Sequence, residues 1–126
     1  LVIENDDRLY GSEDCLFIHD KIKIPVVFDV LHFRCNNNGA RMRDMLLKAF
    51  STWAKKDGVP IVDYSSQEKG KRMGSHTHSI NINNFRNFLK ATSGFDCDIM
   101  CEIKDKEKSV LKSIEIIKSD PRFTKL

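Results

Sequence analysis

An α/β architecture, four consecutive β/α units of a TIM (β/α)8 barrel with parallel strands, follows from three features of the sequence. Four short apolar runs each stop on a carboxylate: Leu1-Val2-Ile3-Glu4, Pro25-Val26-Val27-Phe28-Asp29, Pro60-Ile61-Val62-Asp63 and Asp98-Ile99-Met100-Cys101-Glu102. The stretches between them repeat apolar residues every three or four positions, the period of a helix packed on one face. Strand and helix alternate at a spacing that argues for a parallel sheet with right-handed crossovers, and in such a barrel the strand C-termini open onto one shared face.

The first helix is expected from Ser12 as cap to about Ile22, with Cys15, Leu16, Ile18 and Ile22 on its inner stripe. Pro25 opens the second strand, and a polar loop from His32 to Gly39 follows, marked by the turn signal Asn36-Asn37-Asn38-Gly39. Met42, Met45, Leu46, Ala49, Phe50 and Trp53 then predict a helix over about Ala40 to Lys56, ended by Gly58. Pro60 begins the third strand, and the long loop from Ser65 to Thr77 is of a length that usually serves function. Asn81 caps a third helix that buries Phe85, Phe88 and Leu89 and stops near Gly94. The fourth strand, about Cys97 to Ile103, leads through Asp105 as a cap to a helix with Val110, Leu111, Ile114 and Ile117 inward.

The 126 residues suffice for one modest domain, residues 1–126, around a single core. Apolar and charged fractions of 40% and 31% are ordinary for a soluble globular protein. No apolar run approaches the ~20 residues of a membrane span and no signal-peptide pattern opens the chain, so a cytoplasmic protein with no membrane partner is expected. Cys15, Cys35, Cys97 and Cys101 make no CxxC pair. Cys97 and Cys101, four apart on one strand, share a face and are expected to fill a barrel layer.

Residues two apart on a strand share a face, so Val2 and Glu4, Val27 and Asp29, Ile61 and Asp63, and Met100 and Glu102 point alike. Helix capping explains the acids less well, because about seven residues or more separate Glu4, Asp29 and Asp63 from the expected helices; only Glu102 lies near one. Converging carboxylates repel unless something positive sits between them. With His32 three residues past Asp29, and His76 and His78 flanking Thr77, divalent metals are the economical solution. His19, mid-helix beside Asp20, reads as a surface residue.

A net charge of +3 does not by itself mark a nucleic-acid binder. Its placement is more informative: Arg34, Arg41 and Arg43 follow the second strand, and Lys69, Lys71 and Arg72 follow the third. Basic loops on the face of the acids suit a polyanion lying across a metal site, and ordinary solvated loop charge accounts for them equally.

The segments LVIENDD (Leu1 to Asp7), IPVVFDVLH (Ile24 to His32), VDYSSQ (Val62 to Gln67) and DIMCEIKDKE (Asp98 to Glu107) closely resemble the C-terminal half of UV damage endonucleases. The likeness covers essentially the whole chain. It implies a divalent-metal barrel related to endonuclease IV and xylose isomerase, which nicks damaged double-stranded DNA 5′ to UV photoproducts and other distorting lesions. It also implies a three-metal site, usually described with Mn²⁺.

By position, the resemblance makes Glu4 the bridging glutamate, Asp29 and His32 the Asp-x-x-His ligands, His76 a ligand of the following loop and Glu102 the glutamate ending the last strand. Glu4, Asp29, His32 and Glu102 would thereby be the catalytic set. In the third strand the family's lysine and histidine before Ser-Ser are replaced by Ile61 and Asp63. Asp63 can still bind a hard cation such as Mn²⁺ or Mg²⁺, while the lysine has no counterpart. Arg34, Lys71 and Arg72 would grip the DNA backbone.

A whole barrel takes about 250 residues, so the chain is expected to be the C-terminal half of one, inactive alone and paired with its N-terminal half or with a second copy. Two other functions fit the same scaffold: a sugar isomerase or epimerase, which needs a closed polar pocket, and a half barrel without catalysis.

Overall fold

The structure, a computed structural model, describes residues 1–124. Its elements run β1 (Ile3–Glu4), α1 (Ser12–Ile22), β2 (Val26–Asp29), α2 (Val30–Cys35), α3 (Met42–Ser51), a 3-10 turn (Lys55–Asp57), β3 (Ile61–Tyr64), α4 (Ile82–Ala91), β4 (Asp98–Cys101) and α5 (Glu107–Ile117). All four strands are parallel and lie side by side in chain order. Helical connections carry the chain back each time, which is the β/α repeat expected from the sequence. Among the described residues no helix is long and apolar enough to cross a membrane.

Strand parity sorts the side chains onto two faces. Ile3, Val26, Phe28, Val62, Tyr64, Ile99 and Cys101 pack into one core with the helices, leaving Glu4, Val27, Asp29, Ile61, Asp63 and Met100 on the opposite face. Tyr64 is fully buried, with its ring 5.0 Å from Phe85 and 4.9 Å from Phe88, so β3 and α4 share an aromatic contact. In register, Glu4 is level with Val27, Asp29 with Asp63 and Asp63 with Met100.

Several local expectations are corrected. The loop expected from His32 begins instead as α2, directly after β2, because the Asp29 carboxylate accepts from the His32 N–H at 2.7 Å and caps that helix. Asp29 is therefore an N-cap as well as a strand-ending acid. The helix expected to reach Lys56 ends at Ser51. There Thr52 Oγ1 donates to Ala49 O and accepts from Val26 N, while Trp53 Nε1 donates to Val26 O, and these bonds draw the chain toward β2.

At the start of α1 the cap is Gly11, whose N–H is accepted by Asp14, and Ser12 is the first helical residue. Ile18 and Ile22 of α1 and Val110 and Leu111 of α5 lie exposed rather than inward; α5 buries Ser109 and Ser113. The residue before α5 is Lys106, and Asp105 accepts from Ser79 Oγ. Cys97 and Cys101 pack on the helix side of the sheet, not in a layer of the acid-bearing face. His19 is half-buried, its Nδ1–H donating to Ile24 O at 2.8 Å. Asn81 caps α4 as expected, accepting from Asn84 N at 3.0 Å.

Candidate metal centre

The site begins with Asn5, which is 1% exposed. Its side-chain amide reproduces a strand pair: Oδ1 accepts from Asp29 N at 2.9 Å and Nδ2 donates to Asp29 O at 3.0 Å. The C-terminal ends of β1 and β2 are thus locked together one residue beyond β1. The main-chain carbonyl of Asn5 lies 2.9 Å from His32 Nδ1. A carbonyl can only accept, so Nδ1 carries a hydrogen, and Nε2 is the lone-pair nitrogen of the neutral ring.

Within this frame one ligand atom each from Glu4, Asp29 and His32 lie within 4.8 Å of one another. The His32 Nδ1–H edge faces both acids, 3.2 Å from Glu4 Oε1 and 3.4 Å from Asp29 Oδ2, so a cation taken by this ring would be held at Nε2. Asp29 divides its labour: Oδ1 caps α2, while Oδ2 is buried and accepts no hydrogen bond. A buried carboxylate oxygen without a hydrogen bond is costly unless positive charge faces it; the His32 imidazole at 3.4 Å supplies that charge when protonated, and a metal ion would supply it in its place. Two hard oxygens and an imidazole are a donor set that suits Mn²⁺ or Mg²⁺.

The electrostatics record the same crowding. Burial drives the Asp29 carboxyl up to about 6, against the opposing hydrogen bond and charge of His32. The hydrogen bond from His32 to Glu4, with the nearby Asp29 charge, raises the imidazole to about 9 despite its burial. Asp63, 9% exposed and level with Asp29, is pushed to about 7 by burial first and then by Glu4, Glu102 and Asp29. Such clusters of displaced carboxyls are characteristic of working sites.

His76 and Glu102 adjoin this cluster. The two histidine rings lie edge to face with centroids 6.2 Å apart. His76 Nδ1–H donates to Glu102 O at 2.7 Å and lies 3.8 Å from its carboxylate. Both imidazoles are therefore held through Nδ1 by carbonyls at strand ends. Glu4, Asp29 and His32 form one compact group, His76 and Glu102 a second beside it, and Asp63 is electrostatically linked to the acids of both. His78 is exposed and faces Ser79.

The basic residues divide. Lys69, Lys71 and Arg72 stand exposed on the β3–α4 loop, ahead of His76. Arg34 is part of α2 and lines an open groove with Leu31, Cys35, Gln67, Met73 and Asn84. Arg41 pairs with Asp44, and Arg43 donates to the carbonyls of Ala91 and Ser93 at the end of α4, so both have structural partners. Sequence reasoning missed Asn5 and Lys104. Lys104 lines the surface with His76 and Glu102. Both residues lie in segments that carry the family resemblance, Asn5 in LVIENDD and Lys104 in DIMCEIKDKE, but no role was assigned to either there.

Consecutive parallel β/α units that gather carboxylates and imidazoles at their strand ends define part of an α/β barrel with its site on the C-terminal face. A family model described as UV-endonuclease UvdE matches residues 1–124, and the chain belongs to that family. It is 42% identical over 120 residues to the UV DNA damage endonuclease of Clostridium perfringens (strain 13 / Type A), covering 94% of this chain and 29% of the relative. With the UV DNA damage endonuclease of Bacillus cereus (strain 03BB102) the identity is 32% over 121 residues, covering 94% and 38%. The solved structure described as "Crystal Structure of SacUVDE" superposes with a TM-score of 0.86 at 44% identity, covering 94% of this chain and 39% of that one. The chain therefore spans about a third of the length of these relatives.

Proposed function

We propose that this chain supplies the C-terminal part of a metal-dependent UV damage endonuclease, which nicks damaged double-stranded DNA on the 5′ side of the lesion. The observation that carries the reading is the Glu4–Asp29–His32 group with its unsatisfied Asp29 oxygen. Glu4, Asp29 and His32 would hold a divalent cation, Mn²⁺ or Mg²⁺, with Asp63, His76 and Glu102 as ligands for further cations beside it. A bound cation supplies positive charge for the scissile phosphate and acidifies water at neutral pH.

The protein's own groups then have separable tasks. Glu4, on the edge strand β1, accepts from the His32 ring and would share a cation with Asp29 on β2. Asn5 holds the Asp29 backbone and, through its carbonyl, the His32 ring; the Glu102 carbonyl does the same for His76. Arg34, Lys71, Arg72 and Lys104 contact phosphates, which position a duplex without reading its sequence.

The partner that completes the barrel is either its remaining β/α units or a second copy. Exposed Val2 and Met100 on the acid-bearing face, at 44% and 56%, support such a contact, as does the position of β1 and β4 at the sheet edges. The test is Mn²⁺-dependent nicking of UV-irradiated plasmid by the protein in its complete barrel, beside Mn²⁺ titration calorimetry. Glu4→Gln is expected to abolish nicking and to leave the far-UV circular dichroism unchanged. Undiminished nicking by that variant removes the assignment of Glu4.

A further inference from the structure

The loop from Gln67 to His76 is closed at its base by an antiparallel bridge between those two residues. The residues between them must find partners for their main-chain groups without a strand or helix. Two turns satisfy part of the need: Lys71 N donates to Glu68 O and Ser75 N to Arg72 O, while Glu68 N donates across to Ser75 O at 2.8 Å. The inward-facing remainder converges on one side chain. Gln67 Nε2 donates to the carbonyls of Glu68 at 3.0 Å, Arg72 at 2.9 Å and, more weakly, Lys71 at 3.4 Å, and its Oε1 accepts from Gly74 N at 2.8 Å.

The same loop is pinned from outside at two further points. Glu68 accepts from His78 N through its carboxylate. Gly74, at φ +82, lies so close to Asp7 that a Cβ there would collide with its Oδ2, which presses the loop onto the β1–α1 connection. Among the described residues, Lys69, Lys71 and Arg72 at the tip enter no ion pair. Three unpaired cations on a stapled loop cost little entropy to bring against phosphates, since the ordering is already done.

We propose that Gln67 is a positioning residue: its side-chain amide staples the 67–76 loop into a fixed ridge that presents Lys69, Lys71 and Arg72 to a nucleic-acid backbone beside the His76 end of the site. The phosphate-binding half of this inference rests on the endonuclease reading, whereas the staple stands on the loop geometry alone.

The experiment compares the protein in its complete barrel with the Gln67→Ala and Gln67→Glu variants of the same barrel. Glutamate keeps an acceptor for Gly74 N but loses every donor to the three carbonyls. Limited trypsin digestion, with cut sites mapped by mass spectrometry, is expected to cleave after Lys69, Lys71 or Arg72 at least about tenfold faster in either variant, because loss of these bonds lowers the cost of local opening. The slope of log affinity for DNA against log salt is expected to fall by about 1 to 2, while Mn²⁺ affinity measured by calorimetry stays at the parent value. A destabilised fold would not spare the metal and change the salt slope. Unchanged cleavage at the tip overturns the staple, and faster cleavage with an unchanged slope overturns the role in presenting phosphate contacts. Absence of DNA binding by the parent protein refutes the endonuclease reading instead, and the cleavage rates still decide the staple. Should the alanine variant fail to fold, hydrogen exchange of the Gly74 and Ser75 amides in Gln67→Glu decides the staple in its place: faster exchange than in the parent supports it, and an unchanged rate overturns it.

Discussion

Asp29 serves two masters, and the consequences can be separated by substitution. Its Oδ1 caps α2, a task asparagine performs as well, while its buried charge is opposed by burial and by neighbouring acids. Asp29→Asn is therefore expected to melt no lower than the parent at pH 7 in the presence of chelator, yet to lose Mn²⁺ affinity at least about tenfold, consistent with a lost ligand. A lower melting temperature without metal would mean that the carboxylate is a structural charge. Titration of the site gives a second expectation. Asp29 and Asp63 have folded-state values raised above those of free carboxyls, and His32 is raised above free imidazole. In every case the folded protein holds its proton longer, so the stability contributed is full at low pH and is lost as pH rises. The carboxyls lose theirs between about 4 and 7 and His32 between about 6.5 and 9. Thermal melts in chelator should thus show the site's contribution falling from pH 5 to pH 9, and added Mn²⁺ should reduce that fall. Asn5 is the residue whose loss should be felt most widely, because Asn5→Ala strands the Asp29 N–H and C=O. A destabilisation of about 2 to 4 kcal/mol in urea unfolding is expected from two buried main-chain groups left without partners.

At the level of elements, what could be read from the sequence depended on how the local signals were opposed. Helix α4 was legible because Asn81, Phe85 and Phe88 agree as cap and inward face. The acids at the strand ends were legible because period-two parity survives in any strand. Helix α2 was not, since its six residues mix Leu31 and Phe33 with His32 and Arg34, and its cap is a residue already claimed by the preceding strand. The premature end of α3 was also hidden: Trp53 continues its apolar spacing, but its indole N–H and the Thr52 hydroxyl bind Val26 of β2, a contact between distant segments. The exposure of Val110 and Leu111 likewise defeats a rule that assumes apolar residues point inward. Packing makes its own prediction. Phe88 is fully buried between α4 and the Tyr64 ring, and Phe88→Ala is expected to cost about 3 to 5 kcal/mol in denaturant unfolding, the range for an aromatic core truncation. A cost below about 1 kcal/mol would show that β3 and α4 do not depend on this contact.

Over the whole molecule, charge is divided around the strand-end carboxylate cluster. Arg34 on α2, Lys104, and Lys69, Lys71 and Arg72 on the Gln67–His76 loop, five of the 21 Lys and Arg, stand apart from the acids. That separation fits a polyanion held at its flanks while a metal meets one phosphate. Val2 and Met100 lie exposed on the acid-bearing face, and β1 and β4 are the outer strands of the described sheet. The endonuclease reading rests on one claim, that Glu4, Asp29 and His32 bind a divalent cation. Crystals soaked in Mn²⁺ and measured at the manganese absorption edge test it most directly. An anomalous peak within coordination distance of Glu4, Asp29 Oδ2 and the His32 ring is the expected result, and a map with no peak there, at a Mn²⁺ concentration that supports nicking, would contradict it.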